Sequence, residues 1–464
     1  MSQRPLVHFE ISERKVLLRL LDSLCILTCL SLIGIIFQFD YFRINSQNWY
    51  WTLVLLLYFN LFASVFELYD LQKASKFESV LQNSILSSGA TVLFYMLTPI
   101  LTPSLPENRL QILFFFLAIL LPLLLWRLIY ITLISSPRFY KRVLVVGNSF
   151  DINLISSDLQ KSDPNYMVVG YIKTEDRIKS EIEKDNLIRF EIKDIRAAIE
   201  EHHINEVVVA SGYKEGLMLP LYNQLSYLLK AGFPIKDYTQ VYEEVTQRIP
   251  VQHVDKDFYR YFPFSRSNQN KFYQVFFRIF DVIIALVGLA FFILILPILL
   301  LGNLMGNRGS LFYRQERIGK YGKIFRILKL RTMVKDAELN GPQYAEKNDL
   351  RTTRFGKFLR RSRIDEIPQF YNVLKGEMSL IGPRPERPVF VHELSEVIPF
   401  YETRHVIKPG LTGWAQVKAD YGNCHTDSLV KLQYDLYYIK HRGIFLDLNI
   451  ILKTLSTVIF FRGQ

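Results

Sequence analysis

Two adjacent carboxylates, Asp365 and Glu366, lie in a stretch of the chain that is dense in arginine. The arginines that flank them are Arg351, Arg354, Arg360, Arg361, Arg363 and Arg384. A carboxylate kept ionised among arginines can attack a phosphorus atom and form an acyl-phosphate intermediate. The guanidinium groups can take up charge on the phosphoryl oxygens, and the second carboxylate can hold a divalent cation. A surface ion pair has the same pattern, so spacing alone leaves both interpretations open.

The residues after the pair predict a helix that begins at the carboxylates. Pro368 suits the first turn of a helix and Gly376 suits its end. The exposed amide groups at a helix N-terminus favour anions, including phosphate. Two constrained turns follow at residues 382–385 and 408–416, and stiff turns of this kind position functional groups. Together with the acidic pair, these turns favour a site that handles phosphate.

The composition indicates that this site belongs to a membrane protein. Half of the 464 residues are hydrophobic and the net charge is +12, which favours an anionic membrane surface or phosphorylated substrates over nucleic acid. Cys25, Cys29 and Cys424 suggest neither a disulfide framework nor a metal site. Four apolar stretches have near the ~20 residues that a helix needs to cross a bilayer. They cover residues 20–37, 49–68, 81–100 and 112–132.

The flanks of these four stretches predict that both ends of the bundle face the cytoplasm. One side is rich in basic residues, whereas the opposite loops carry only Arg43 and Arg109. Arg127 falls inside the fourth stretch, near enough to its cytoplasmic end for the side chain to reach the interface. Asp22 and Glu67 lie near the ends of their stretches, where an interfacial position is expected. The basic residues are Arg4, Arg14, Lys15, Arg19, Lys73, Lys76, Arg138, Lys141 and Arg142.

Residues 141–250 predict a small doubly wound α/β domain. Residues 142–149, 167–172 and 205–210 have the pattern of buried strands, and polar, helix-compatible stretches separate them. A dinucleotide-binding fingerprint is broken here, because Gly147 has no second or third glycine after it. A regulatory or structural role is therefore favoured, with cofactor binding as the alternative.

The apolar run at residues 282–301 has the length of a membrane span but unusual flanks for one. It contains twenty residues without a charge, and basic residues both precede and follow it. Positive charge on both sides implies that both sides are cytoplasmic. Pro297 would kink the helix, because an internal proline removes one backbone hydrogen bond. A helix that enters the membrane, bends and returns to the same face fits these charges, and a kinked full span is the alternative.

Several motifs between residue 271 and the C-terminus occur together in the order of a known family. They are residues 313–319, 329–333, 348–356, 359–369, 376–385 and 409–414. In these motifs the chain closely resembles the bacterial sugar transferase family, the polyprenyl-phosphate glycosyl-1-phosphate transferases that start capsule, exopolysaccharide and O-antigen synthesis. The front half resembles the larger members of the family, which carry four spans and a Rossmann-like domain ahead of the catalytic unit.

The resemblance implies a role for individual residues. Asp365 is expected to be the nucleophile that takes the phosphosugar and releases a nucleoside monophosphate. Glu366 is expected to be its acidic partner near magnesium, so that the pair would hold the metal ion. Further side chains are expected to bind the phosphates or to border the nucleotide-sugar site. They are Lys329, Arg331, Arg360 and Arg384.

Together these observations predict a membrane α-helical bundle, a cytoplasmic Rossmann-like α/β domain and a C-terminal α-rich catalytic domain with a re-entrant membrane helix. The expected domains are residues 1–137, 138–265 and 266–464, and the resemblance implies the re-entrant helix at 281–301. The expected reaction transfers hexose-1-phosphate from a UDP-sugar to undecaprenyl (polyprenyl) phosphate. The lipid bilayer is an expected partner and nucleic acid is not. The expected location is the bacterial inner membrane, with the soluble domains in the cytoplasm.

Two other functions stay open at this point. Membrane-bound nucleotide-sugar dehydratases or epimerases share a similar front half, and Tyr371 and Lys375 have their Tyr-x-x-x-Lys spacing, but without an intact glycine loop. A non-catalytic scaffold for polysaccharide assembly is the second alternative, and it predicts that the acidic pair is dispensable. The sequence does not choose between glucose and galactose. It also leaves open the ligand of the Rossmann-like domain and the oligomeric state, for which a homodimer is one option.

Overall fold

The structure is a computed structural model that divides into two compact units, Met1–Thr246 and Gln247–Gln464. It describes residues 11–37, 49–99, 101–103, 106, 108–134, 141–147, 156, 157, 159, 160, 166–173, 187–210, 219–251, 268, 270–307, 309–335, 337, 341, 349–419 and 425–459. The predictions for Cys424, for the loop at 40–48 and for the strand end at Ser149 lie outside these residues. The boundaries of the three domains stay a prediction.

The first unit begins with apolar helices that correspond to the predicted spans. Its helices are α1 Ile11–Phe37, α2 Trp49–Val65, α3 Leu71–Ala74, α4 Phe77–Leu97 and α5 Leu110–Ile129, which continues as a π-helical turn at Tyr130–Ile134. By length and composition, α1, α4 and α5 contain segments that can cross a membrane. Helix α2 has 17 residues and ends before the predicted residue 68, because the chain turns at Glu67, whose φ is 58°. At about 25 Å, α2 is at the short end of what spans a bilayer.

Arg127 is buried in the helical bundle instead of reaching the membrane interface as predicted. Its Nη2, on α5, donates a 2.6 Å hydrogen bond to Oδ2 of Asp22 on α1, and both side chains are fully buried. Asp22 is likewise buried between the helices, and its expected depth near the interface stays a prediction. A charge in apolar surroundings is retained only with a partner, so the pair ties α1 to α5. Glu67, in the turn after α2, forms an ion pair with Lys73 of α3.

The α/β part of the first unit is a five-stranded sheet in the order β3-β2-β1-β4-β5, with every neighbouring pair parallel. Its elements are β1 Lys141–Gly147, β2 Tyr166–Lys173, β3 Ile188–Phe190, α6 Ile195–Glu201, β4 Glu206–Ala210, α7 Leu219–Lys230, β5 Ile235–Asp237 and α8 Tyr238–Thr246. Val143 and Val145 pack with α8, whereas Leu144 and Val146 pack with α6 and α7. Because alternate residues of β1 meet helices on opposite faces, the predicted doubly wound α/β domain is confirmed.

Gly147 ends β1 where a side chain would meet the neighbouring strand. A Cβ added at Gly147 would lie 3.1 Å from the carbonyl oxygen of Ala210 and 3.2 Å from the Ala210 Cβ. Both distances are tighter than ordinary van der Waals contact. Close packing of β1 against β4 therefore accounts for the single glycine in the broken dinucleotide pattern.

The second unit combines one long helix with short strands and short helices. Its elements are α9 Lys271–Gly306, β6 Phe312–Ile318, β7 Ile324–Leu330, α10 Arg354–Arg361, α11 Phe370–Lys375, β8 Ser379–Ile381, α12 Pro388–Val397, β9 Gly410–Thr412, α13 Trp414–Lys418, α14 His425–His441 and α15 Ile444–Ile459, with 3₁₀ helices at Lys320–Gly322, Ile364–Gln369 and Tyr401–Val406. Strands β6 and β7 form an antiparallel hairpin, and β8 pairs with β9 in parallel. The main core gathers residues of α9, the hairpin, α11, α12, α14 and α15.

Helix α9 carries the apolar run at 282–301 and continues beyond it at both ends. Its 36 residues make a helix about 54 Å long, and Pro297 lies inside it. By length and composition α9 is also a candidate membrane span. The helical assignment is continuous through Pro297, so the predicted re-entrant path stays a prediction.

Both flanks of that apolar run contact the elements around the acidic pair. Ahead of the run, the Arg278 guanidinium donates to the carbonyls of Val373 and Leu374 in α11 over 2.7 Å each. After the run, the amide of Asn307, which directly follows α9, donates to the carbonyl of Arg331, just after β7, over 2.7 Å. The two ends of the helix are therefore fixed to one folded domain.

Two glycines of α9 let aromatic rings approach the helix between those flanks. A Cβ at Gly288 would lie 2.4 Å from the ring of Phe370, and a Cβ at Gly302 would lie 2.5 Å from the ring of Phe355. Real Cβ atoms do not come this close to other atoms, so only glycine fits without a shift of the ring. Phe370 follows directly on the 3₁₀ helix of the acidic pair, and Phe355 lies in α10, so α9 packs along the elements that carry that pair.

Candidate active site

The acidic pair lies in the 3₁₀ helix Ile364–Gln369, between α10 and α11. Asp365 and Glu366 occupy its first turn and are buried, each with 8% of its surface exposed. Gly376 ends α11 in the left-handed conformation with a φ of 86°, as its position in the sequence predicted. The prediction of a helix that begins at the pair is confirmed, with 3₁₀ geometry in place of the first α-helical turns.

The turn ahead of the pair is strained at Arg363. This residue has a φ of 59°, in the left-handed region that a side chain enters at a cost of about 1–2 kcal/mol. Its guanidinium Nη1 lies 3.3 Å from Oε2 of Glu366. The ion pair offsets part of that strain and holds the turn against the carboxylate.

Glu366 is surrounded by three cations. Lys329 Nζ and Arg384 Nη2 donate to its Oε1 over 3.0 and 3.1 Å, and Arg363 approaches its Oε2. Burial would raise the pKa of Glu366, but the charges of Lys329, Arg384 and Arg363 together hold that pKa well below its usual range. Burial lowers the pKa of Lys329, and the Glu366 charge opposes that effect. Glu366 is therefore held as a carboxylate in the folded protein.

Asp365 has neither a hydrogen bond nor an ion pair on its carboxylate within the part of the chain that the structure describes. Burial, followed by the neighbouring Glu366 charge, raises the pKa of Asp365 to about 6. The charges of Lys329, Arg360 and Arg384 act in the opposite direction. The sequence predicted an ionised carboxylate among arginines without separating the two residues. The structure gives the cationic contacts to Glu366, and none of the described residues contacts the Asp365 carboxylate through a hydrogen bond or ion pair.

Of the remaining residues predicted to bind substrate, Arg360 lies near the pair and Arg331 is engaged elsewhere. Arg360 donates from Nε to Oγ1 of Thr332 over 2.9 Å. Burial lowers the pKa of Arg360, and the charge of nearby Asp365 opposes that effect. Arg331 donates from Nη2 to the carbonyl of Asn307, at the end of α9, over 2.8 Å. Arg331 therefore caps a helix terminus, and its role at the nucleotide-sugar site stays a prediction.

A network of hydrogen bonds and a buried ion pair hold Arg384 in position. Its Nη1 donates to Oε1 of Gln416 over 3.3 Å, and its own carbonyl accepts from Nη2 of Arg404 over 3.2 Å. Arg404 is buried and also donates to Asp435 of α14 over 2.6 Å. Burial raises the pKa of Asp435 to about 6, although the Arg404 charge opposes the shift. A buried ion pair therefore supports the backbone from which Arg384 projects.

The two constrained turns predicted from the sequence pack against each other, and Arg384 lies in the first of them. Gly410 N donates to the carbonyl of Pro383 over 2.9 Å. A Cβ on Gly382 would lie 2.4 Å from the carbonyl oxygen of Lys408, so the two backbones meet without room for a side chain. This close packing gives Arg384 one well-defined backbone position.

A small pocket lies beside Glu366. Lys329 and Arg384, which both bind the Glu366 carboxylate, are among the residues that line it. Its lining residues are Arg317, Ile327, Lys329, Gln369, Arg384, Pro385 and Gly410. Burial lowers the pKa of Arg317, whose Nη1 donates to the Pro385 carbonyl over 3.0 Å. Three cations in one concave site favour an anionic ligand. Arg317 and Gln369 were not predicted from the sequence, although both lie in the motifs at 313–319 and 359–369, and Arg363 was predicted only as one of the arginines that flank the pair.

The acidic pair fits a magnesium ion that a bound phosphate helps to hold. Magnesium binds through one or two carboxylates together with phosphate oxygens and water. The Asp365 oxygens have no protein partner among the described residues, and the Oε2 of Glu366 meets Arg363 only at 3.3 Å. The described residues contain no group of three or more His, Cys, Asp and Glu side chains that could hold a metal by themselves.

The structure does not favour the dehydratase or epimerase alternative. Tyr371 is 54% exposed on α11, and Lys375 forms an ion pair with Glu377. Neither Tyr371 nor Lys375 lines the pocket beside Glu366. Gly147, the remnant of a cofactor loop in that interpretation, is explained by strand packing.

Comparison with known proteins agrees with this geometry. The family described as Bacterial sugar transferase matches residues 272–461. A UDP-N-acetylgalactosamine-undecaprenyl-phosphate N-acetylgalactosaminephosphotransferase of Aeromonas hydrophila is 37% identical over 229 residues, 49% of this chain and 53% of that protein. A UDP-glucose:undecaprenyl-phosphate glucose-1-phosphate transferase of Xanthomonas campestris pv. campestris is 41% identical over 209 residues, 44% of this chain and 40% of that protein. A protein of the same name from Caulobacter vibrioides is 39% identical over 186 residues, 39% of this chain and 69% of that protein.

The fold and the site define a protein in which a buried acidic pair, contacted by cations, lies in the same unit as a helix of membrane length. The chain belongs to the bacterial sugar transferase family, and the resemblance seen in its motifs is confirmed. The matched residues 272–461 contain α9, the β6–β7 hairpin and the acidic pair. The chain spans about half the length of the first two relatives that it matches.

Proposed function

We propose that this protein transfers a sugar-1-phosphate from a UDP-sugar to undecaprenyl phosphate, the first membrane step of exopolysaccharide, capsule or O-antigen synthesis. The observation that carries the proposal is the buried pair in which Glu366 holds three cations while the Asp365 oxygens have no hydrogen bond or ion pair among the described residues. The names of the relatives support the substrate classes, since they include UDP-glucose, UDP-N-acetylgalactosamine and undecaprenyl phosphate. The relatives differ in the sugar, so the proposal extends to the UDP-sugar class.

In the first step, a carboxylate oxygen of Asp365 attacks the sugar-side phosphorus of the UDP-sugar. The bond from that phosphorus to the bridging oxygen breaks, and its electron pair leaves with UMP. Asp365 then carries the sugar phosphate as an acyl phosphate. Arg360 and Arg384, whose charges act on Asp365, stabilise the negative charge that develops on the phosphoryl oxygens.

In the second step, a phosphate oxygen of undecaprenyl phosphate attacks the same phosphorus. The bond to Asp365 breaks, the carboxylate is regenerated, and undecaprenyl-diphosphate-sugar is released. Because the two substrates react in turn, the kinetics should be ping-pong. Glu366 forms no covalent bond in either step and keeps Lys329 and Arg384 in position.

Asp365 and Glu366 are the residues that would hold magnesium. When bound, the ion would supply positive charge that stabilises the phosphate oxygens of the substrate. Lys329, Arg363 and Arg384 already neutralise much of the charge of Glu366, so Asp365 has the oxygens that are more available to the ion. The same three cations orient the diphosphate for attack by Asp365.

We also propose that α9 enters the cytoplasmic face of the bacterial inner membrane and returns to it. Arg278 and Asn307, on either side of the apolar run, bind one folded domain, and one domain cannot lie on both sides of a bilayer. Between them, Leu294 and Ile298 are 75% and 71% exposed, which suits contact with lipid. The basic flanks favour the cytoplasmic face. The acidic pair would then lie at the membrane surface, within reach of a lipid phosphate.

The test is mass spectrometry of purified protein, quenched after mixing with a panel of UDP-sugars and no lipid acceptor. We expect a sugar-phosphate adduct on Asp365 together with UMP release. Asp365→Asn keeps the shape of the side chain but loses the nucleophilic charge, so it should form no adduct. Glu396→Gln is the matched control, because Glu396 lies on α12 with a side chain that is 69% exposed, and it should retain the adduct.

Two outcomes would contradict this proposal in different ways. Sequential kinetics without an adduct, in protein that turns over with lipid acceptor, would mean that the lipid phosphate attacks the UDP-sugar directly. Normal polysaccharide assembly in cells that carry only Asp365→Asn would favour the scaffold alternative.

A further inference from the structure

The side-chain amide of Gln369 has no part in the reaction described above. Gln369 is the last residue of the 3₁₀ helix that carries the acidic pair, and only 3% of it is exposed. Within the part of the chain that the structure describes, neither its buried Nε2 nor its Oε1 has a hydrogen-bond partner. Native proteins seldom bury an unpaired amide, and such a group often marks a site where a ligand completes the hydrogen bonds.

The surroundings of this amide indicate which ligand would complete them. Gln369 lines the pocket beside Glu366 together with the cations Arg317, Lys329 and Arg384. Asp365 does not line the pocket, although the Lys329 and Arg384 charges act on it. The pocket therefore adjoins the attacking carboxylate without containing it.

We propose that this pocket takes the nucleotide-side phosphate of the UDP-sugar, and that the Gln369 amide donates a hydrogen bond to one of its oxygens. The inference rests on the function proposed above. The two phosphoryl groups of a diphosphate share one bridging oxygen, so when Asp365 attacks the sugar-side phosphorus the other phosphate must lie in an adjoining site.

The charge of the pocket favours phosphate over the sugar as the group that Gln369 binds. Arg317, Lys329 and Arg384 stabilise an anion, whereas neutral sugar hydroxyls would gain little from three cations. A neutral amide among cations donates a hydrogen bond without adding a further charge. The NH₂ group of Gln369 offers two donors, and neither has a protein acceptor among the described residues.

The experiment measures UMP and uridine binding to the purified full-length protein in lipid nanodiscs by calorimetry. Gln369→Met keeps the length of the side chain but removes the amide, so the Kd for UMP should rise about tenfold or more. Gln369→Glu adds a negative charge opposite the phosphate, so the Kd should rise further. Uridine, which lacks the phosphate, should bind both variants as it binds the wild type.

The matched control is Gln274→Met. Gln274 lies in the first turn of α9, and its amide donates to the carbonyl of Asn268 ahead of that helix. Gln274 does not line the pocket. Its Kd for UMP should stay at the wild-type value. Thermal unfolding of all variants checks the fold, and Gln369→Glu, which keeps the shape of glutamine, decides the question if Gln369→Met does not fold.

Unchanged UMP affinity in the folded Gln369 variants would overturn the inference. Equal weakening of UMP and uridine would also overturn it, because the amide would then contact the nucleoside. Binding does not require turnover, so the two proposals can fail separately. A protein that binds UMP through Gln369 but forms no product from any UDP-sugar would contradict the proposed reaction alone.

Discussion

Asp365 and Glu366 are neighbours in the chain, yet their carboxylates have different electrostatic surroundings. Glu366 forms ion pairs with Lys329, Arg363 and Arg384. The pKa of Asp365, in contrast, is raised mainly by burial and by the Glu366 charge. When two carboxyl groups have pKa values that are driven apart, they can divide acid, base and nucleophile roles between them. In the proposed reaction the permanently ionised member organises the cations, and the member that titrates near pH 6 attacks.

This division leads to a pH dependence for the first step. A protonated carboxyl cannot attack phosphorus, so the rate of UMP release without lipid acceptor should fall as the pH drops through about 6 and level off above it. Rapid-quench assays of UMP release between pH 4.5 and 8 would measure this acidic limb of the pH–rate profile, with circular dichroism at each pH as a check on folding. A rate that stays constant down to about pH 4.5 in folded protein would contradict the raised pKa of Asp365.

Two substitutions should move this acidic limb in opposite directions. Glu366→Gln removes a charge that raises the pKa of Asp365, so the acidic limb should move to lower pH. Lys329→Met removes a charge that lowers that pKa, so the acidic limb should move to higher pH. Both variants should be slow, and excess enzyme under single-turnover conditions makes the residual rate measurable. Movement of both limbs in the same direction would show that Asp365 does not set the pH dependence.

Arg384 is expected to act through the geometry of its guanidinium and not only through its charge. Arg384→Ala should lower kcat/KM by the equivalent of about 2–4 kcal/mol, as the loss of a donor to a developing anion does. Arg384→Lys should recover little of this, because lysine cannot bind Glu366, Gln416 and phosphate with one planar group. Arg326→Lys, on an exposed arginine of β7, is the matched control and should leave kcat/KM unchanged. Full activity of Arg384→Lys would show that Arg384 acts only through its positive charge.

At the scale of elements, α9 is the support on which the catalytic segment is built. Asp281 of α9 accepts hydrogen bonds from Leu380 N at 2.9 Å and from Ser379 Oγ at 3.1 Å, which fix β8. At Gly288, α9 packs against the ring of Phe370, which is the first residue after the 3₁₀ helix. A change in this packing is therefore transmitted to the acidic pair.

Gly288→Ala tests this support directly. Its Cβ would lie 2.4 Å from the Phe370 ring, so the ring and the adjoining 3₁₀ helix must shift. A misplacement of about 1 Å can cost on the order of 100-fold in rate, so kcat should fall at least tenfold in UMP-release assays. Gly89→Ala in α4 is the control, because its Cβ would meet Phe116 at an ordinary 3.8 Å and alanine favours a helix. Equal activities of the two variants would show that the Phe370 ring moves without cost.

At the scale of the whole molecule, the proposed path of α9 determines on which side of the membrane the catalytic unit lies. Reporter tags at residues 267 and 464, one before α9 and one after it, should both be accessible from the cytoplasm. Pro297→Leu should push some molecules toward full spanning, because a straight apolar helix of this length is long enough to cross. Protease protection in inverted and right-side-out vesicles would measure both effects. A periplasmic tag at 464 in the wild type would exclude the re-entrant path.

The sequence alone predicted the features that depend on local composition and periodicity. The apolar helices, the buried strands of the α/β domain and the helix between the acidic pair and Gly376 follow from hydropathy, strand alternation and turn residues. The motifs around Asp365 and Glu366 identified the family, because they are contiguous stretches of the chain. Such patterns do not predict which side chains contact each other across different elements.

Only the tertiary structure decided which cations meet which carboxylate. Lys329 and Arg384 reach Glu366 from positions 37 and 18 residues away, and Arg127 meets Asp22 across 105 residues. Arg331, two residues from Lys329, is instead engaged at the end of α9, while Gln369 lines the pocket. Electrostatic energy and desolvation depend on distances in space and on burial, and sequence spacing sets neither for residues on different elements.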